Sequence, residues 1–343
     1  MKKTYNIVFN FCFTFLLIGF LGIFTTNHAI RFLNTATASS INPLAACGID
    51  KKVAYLAPNK NVMLINLKDG NETIVTDKFS EIDSMSLDLT LNKITVAGRL
   101  KTNDASKLNG VYMIDIEKGD ISTICESRKY YFSPCLSSNQ KFAAYIVSGK
   151  NDQFTPSNIE LKNLDTNSVK SLTNQPETGE NGIFYNYPRF SQAGDSIIYS
   201  KADIPDIDTP RYGSIYICQT PVTGGTESVI IGGATVYGTN GESNNEYKAS
   251  VPNILAGNKI GFLKTVGNVS KSLALIDGLK SNEVTDILTD ADNLARPDFS
   301  KDGKYVVFEL YNDEQSKCSI QLYDINARAT RKICETGEMP SID

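Results

Sequence analysis

The segment Pro297 to Phe308, PDFSKDGKYVVF, returns in worn form along the chain, and its period restricts the fold more than any other feature. Phe299 and Ser300 end one strand, Asp302-Gly303 make a tight turn, and Tyr305 to Phe308 begin the next strand. Related copies are PRFSQAGDSIIY from Pro188, PCLSSNQKFAAY from Pro134, PNILAGNKIGF from Pro252, and SMSLDLTLNKITV from Ser84, which has no proline. From Ser84 through the four prolines the spacings are 50, 54, 64 and 45 residues, too long for a small solenoid and right for radially repeated sheets.

Each copy continues into a β-rich run, a turn with Gly, Asp or Asn, and a further short strand, as in VYMIDIEKGDISTIC and IQLYDINARATRKIC. One unit therefore supplies four antiparallel strands, A to D, and a lone four-stranded sheet cannot bury both faces. Radial repetition solves this as a β-propeller. Residues 52 to 76 read as strands B, C and D without a strand A, and MPSID at 339 to 343 reads as a strand A with nothing after it. Joining the two closes the ring, removes two open edges and gives an all-β, six-bladed propeller. Five blades with a stray N-terminal hairpin is the competing count.

The phrase F-S-x-D-G-K followed by alternating apolar residues, then apolar-Tyr-x-apolar-Asp, resembles the repeat of TolB-type six-bladed propellers, which are related to the propeller portion of prolyl-oligopeptidase-type enzymes. The resemblance covers about residues 48 to 343, sharpest in the last blade and weakest in the first two, where the tetrapeptide is LTLN or missing. It implies a propeller outside the cytoplasm that binds other macromolecules. It implies no particular ligand, because one fold hosts many functions.

Met-Lys-Lys is followed by eighteen residues, Ile7 to Phe24, whose clear polar members are Asn10 and Thr14. Such a start reads as an N-terminal hydrophobic helix serving as an export signal or a membrane anchor over residues 1–30, with the anchor preferred and Lys2 and Lys3 inside. Residues 31–46, rich in Thr, Ala, Ser and Asn, read as a linker, and 47–343 as the propeller. Leu44-Ala45-Ala46-Cys47 has the composition of a lipoprotein cleavage box but lies about twenty residues past the apolar run, so Cys47 is expected to pack at the start of the first blade. Beyond residue 31 the chain has 31 basic and 38 acidic residues, a net charge of minus seven without long runs. Nucleic acid, which needs a concentrated positive surface, is excluded as a partner.

Of seven cysteines, Cys12 lies in the leader and no Cys-x-x-Cys occurs. Cys318 and Cys334 stand eight residues to either side of a turn near Asn326, which places them as a candidate cross-strand disulfide. Cys125, Cys135 and Cys218 are expected to fill gaps between sheets. The single histidine, His28, lies in the leader or its flank, so the propeller has no imidazole for a Ser-His-Asp or Cys-His system. No catalytic residue, metal ligand or cofactor is expected. Ser191 and Ser300 belong to the repeat phrase and are expected to bond turn backbone. Asp203, Asp206, Asp208, Asp290 and Asp292 offer carboxylates, which read as solvated loops before they read as an acid pair.

The A-to-B and C-to-D turns are short, whereas the loops of the opposite face are long and varied, and long loops on a rigid scaffold are where binding resides. Around the fourth blade these loops carry aromatics beside charges: Phe184, Tyr185, Tyr187, Asp206, Asp208, Arg211, Tyr212, Tyr237 and Tyr247 form the candidate binding set. Rings packed under their own loops are the competing reading. The sequence thus describes an exported, membrane-tethered, non-catalytic binding or scaffold module for a protein, peptide or cell-envelope polymer. A polysaccharide-active carboxylate propeller and the ectodomain of a sensor complex are the alternatives.

Overall fold

The computed structural model describes residues 39–343 except 102–107, 150–155, 176–181, 205–213, 233–246, 267–269, 279–282, 290–292 and 313–316. From Ile41 to Asp343 the chain forms one compact unit. Its strands make six sheets, which is a six-bladed propeller: five are four-stranded with A, B, C and D in sequence order, and the first has five strands, with Ser39–Ile41 added outside its D strand. The A strands are Phe79–Asp88, Tyr130–Leu136, Gly182–Phe190, Tyr247–Ile254 and Leu294–Phe299 in blades 2 to 6. Blade 1 takes its A strand, Glu338–Ile342, from the C-terminus, where Val53 pairs with Ile342 and Ala54 with Ser341. Inter-blade packing is apolar, as the alternation of β-branched and aromatic residues requires, with Val53, Ile94, Ile146, Ile198, Phe262 and Val307 all essentially inaccessible.

The repeat phrase has a definite structural job. Five of the six A strands carry a bulge at the residue pair that ends in the recurring proline: Ser133-Pro134, Tyr187-Pro188, Val251-Pro252, Arg296-Pro297 and Met339-Pro340. In each, two A-strand residues stand against one residue of strand B, and that residue is aromatic: Tyr145, Tyr199, Phe262, Phe308 and Tyr55. All five rings are buried. Proline tolerates this position because a bulge leaves an N–H without a ladder partner. Blade 2, which lacks the proline, instead skips one residue at each of two places, Ser80 and Asp83.

The residue before each of those prolines has a left-handed backbone, with φ of 49° at Ser133, 54° at Tyr187, 54° at Val251, 46° at Arg296 and 54° at Met339. None is glycine, Val251 is β-branched, and a following proline favours extended backbone, so this conformation is held by its surroundings. Part of the hold comes from the preceding blade. Ser84 Oγ accepts the N–H of Ser133 at 2.6 Å, Ser200 Oγ accepts that of Val251 at 3.0 Å, and Glu309 Oε1 accepts that of Met339 at 2.6 Å.

Ser191 and Ser300 sit at A-to-B turns and bond backbone as expected, and Ser137 does the same. Ser300 Oγ donates to Asp302 at 2.7 Å and accepts the N–H of Tyr305 at 3.0 Å, and Ser137 accepts from Phe142 at 2.9 Å. The pairing expected of Cys318 and Cys334 is corrected. A register shift between Ile320 and Gln321 sets Cys334 opposite Ile320, and both cysteines are free thiols. The end of the stretch read as a linker is docked on the first blade: Asn42 donates its backbone N–H to Gly70 at 2.7 Å, Ala45 is fully buried, and Cys47 donates its N–H to Leu67 at 2.9 Å. Among the described residues no helix is long and apolar enough to cross a membrane, and residues 7–24 lie outside them.

Candidate functional site: the axial cavity

Re-aiming a side chain is what a bulge does best, and these bulges share a target. Asp83, Ser133, Tyr187, Val251, Arg296 and Met339, one from each blade, line a single cavity of about 600 Å³ at the ring axis. Ser148 and Ser157, which end strand B and begin strand C of blade 3, also line it, so the cavity lies toward the face of the long B-to-C loops. Its wall mixes apolar groups such as Ile82, Met85 and Phe132 with Asn186, Arg189 and Asp298.

Two charged pairs hold the wall together. Arg296 donates to Glu309 at 3.0 Å, and the same carboxylate oxygen accepts the Met339 N–H, so a buried acid ties blade 6 to the closing strand. Asp298 accepts from Ser341 Oγ at 2.7 Å and from the N–H of Ile342 at 2.9 Å, with Arg189 at 3.7 Å. Burial pushes the Asp298 carboxyl above its ordinary range, against the pull of Arg189 and these two donors. Asp83 is different. Among the described residues no donor reaches its carboxylate; burial first, and Glu81 second, raise it to about 6, with Arg99 opposing. It is the acid of this wall best placed to receive a donor from outside.

The nine residues read from the sequence divide into four groups. Tyr187 is on the cavity wall, half-buried, and burial raises its phenol. Phe184 and Tyr185 are buried, at 5% and 3% exposure. Strand A of blade 4 begins at Gly182, before these residues, so they are strand positions rather than loop positions. Tyr185 packs edge-on against Tyr199 with centroids 5.6 Å apart, and Phe184 contributes to the inner wall. Tyr247 is half-buried, stacked on Phe262 at 6.4 Å, with the Lys264 ammonium 5.3 Å from its ring. Asp206, Asp208, Arg211, Tyr212 and Tyr237 lie outside the described residues. Asp83, Arg189, Arg296 and Asp298 escaped the sequence reading. Four of the copies did carry the signal, as the residues immediately before or after the recurring proline.

Fold and cavity together define a six-bladed propeller with a polar axial recess, and within that class the fold is of the TolB type. TolB from Acinetobacter baumannii superposes with a TM-score of 0.63 at 17% identity over 85% of this chain and 66% of the other. Hydrazine synthase from Kuenenia stuttgartiensis gives 0.60 at 11% identity, over 85% and 46%. A chain of a nidogen/laminin complex gives 0.56 at 9% identity, over 85% and 97%. The chain thus spans about two thirds of the TolB chain and under half of the synthase chain. At such identities the likeness is one of fold. No family model and no curated protein matches the sequence.

Proposed function

We propose that this chain is an exported, membrane-tethered, non-catalytic propeller that holds a segment of a protein, peptide or envelope polymer in its axial cavity. The observation that carries this reading is the ring of six bulge residues turned into one recess on the long-loop face. A backbone strained at five equivalent places is more simply accounted for by presentation of side chains than by stability, which the strain lowers. The wall also has the composition of a recognition site: an aromatic at Tyr187, an exposed guanidinium at Arg296, and an acid at Asp83 awaiting a donor. Similarity to TolB and to a chain of a nidogen/laminin complex supports a binding role. Export and tethering rest on the apolar run at residues 7–24.

Affinity capture from native envelope extract tests the proposal, using the propeller and a folded Tyr187→Ala, Arg296→Ala variant. A partner held by the first and lost by the second supports it; a partner held equally by both contradicts it.

A second reading has one observation in its favour. An acid raised to about 6 in a cavity, as Asp83 is, has the quality of a general acid for cleaving a glycosidic bond, with Asp298 as the other carboxyl of the same wall. Turnover of an envelope polysaccharide that falls by about a thousandfold in Asp83→Asn would favour this enzyme over a binding module.

A further inference from the structure

The ring has a second cavity, of about 350 Å³, lined by the later residues of the A strands and by the short turns that follow them. Leu87, Leu136, Phe190, Ile254, Phe299 and Ile342 give it an apolar collar with one residue from each blade. It shares Arg189 and Asp298 with the axial cavity, so this pair stands between the two.

Five charged side chains also reach this wall, and each is already engaged within the protein. Lys93 meets Asp115 at 2.7 Å. Lys301 meets Asp88 at 3.1 Å and Asp343 at 3.2 Å. Arg189 and Asp298 face each other, and Asp298 also takes the two donors of the closing strand. A charged ligand would therefore have to give up water without gaining a free counter-charge, or else break one of these pairs. A neutral ligand needs neither, and the collar supplies the apolar contact that holds it.

From this we infer that the short-turn end of the propeller is a binding site for a compact, neutral, largely apolar small molecule, of the size of one or two fused rings. The site is separate from the axial cavity and does not depend on the proposed function of that cavity. The size of the cavity is that of ordinary small-molecule sites, and its wall is built on strands rather than on long loops, so it is formed before any ligand arrives.

The test uses the full chain and a neutral naphthalene fluorophore, 6-propionyl-2-dimethylaminonaphthalene. Its emission should shift to the blue with one-site saturation. Replacing the propionyl group by a carboxylate, or the dimethylamino group by trimethylammonium, should weaken binding by about tenfold or more. Two variants at the mouth, Ser138→Trp and Ala256→Trp, fill space from exposed lining positions and should each weaken the neutral probe by about tenfold or more. Tyr187→Ala, in the axial cavity, should leave it within about twofold. Near-ultraviolet circular dichroism establishes that each variant is folded, and either tryptophan variant suffices. The inference is overturned by the absence of saturation on the wild-type chain, by charged analogues that bind as well as the neutral one, or by binding that survives folded tryptophan variants or is lost with Tyr187→Ala.

Discussion

Asp83 is where a single side chain says most about the site. Its folded-state carboxyl titrates near 6, above the ordinary value it has in the unfolded chain, so the folded protein binds that proton more tightly. The stability this proton confers is fully present below about pH 4 and is lost as pH rises through about 6. Asp83→Asn removes the ionisation and should therefore raise stability by about 1–3 kcal/mol at pH 7.5, with no gain at pH 3.5, in urea unfolding at the two pH values. An equal gain at both would mean that the carboxylate is not desolvated. Tyr185 makes the opposite point. As a core ring packed against Tyr199, it should cost about 3–5 kcal/mol on truncation to alanine. Unchanged stability would return it to the surface on which the sequence had placed it. Alternating aromatics next to a long loop look alike whether they start a strand or cover it, and only the strand boundary at Gly182 separates the two.

At the scale of the element, the repeat phrase is a bulge with its own packing. Proline and aromatic recur about eleven residues apart because the pair ending in the proline stands opposite the ring across the A and B strands. The period, the four-stranded unit and the turn serines were legible in the sequence, since each leaves a local mark: a glycine or asparagine turn, an alternation, a hydroxyl five residues before the amide it receives. The bulge was not. Left-handed backbone at Tyr187 or Val251 runs against the preference of both the residue and the proline after it, and it is fixed by contacts that no local pattern records. The Ser200 hydroxyl that receives the Val251 N–H comes from 51 residues away, in the preceding blade. Ser200→Ala should leave that buried N–H without a partner and cost about 1–3 kcal/mol, read by denaturant unfolding. A loss below about 0.5 kcal/mol would show that the bulge does not need the latch.

For the whole molecule, closure of the ring depends on five C-terminal residues. Met339, Ser341 and Ile342 are buried, Asp298 and Glu309 of blade 6 hold the strand, and Asp343 accepts the N–H of Leu89 at 2.6 Å in blade 2. Deleting residues 339–343 should cost more than about 4 kcal/mol and broaden the thermal transition, whereas a frayed tail would leave both unchanged. The six-blade count was readable because the two ends of the chain were complementary fragments of one unit. The axial cavity was not readable, because the residues that converge there come from six separate strands, and convergence is a property of the closed ring. The most direct measurement is therefore hydrogen exchange of the propeller with and without its captured partner. Protection concentrated in the segments around Asp83, Ser133, Tyr187, Arg296 and Met339 is the predicted result. Protection confined to the outer D strands, with these segments unaffected, would contradict the axial cavity as the binding site.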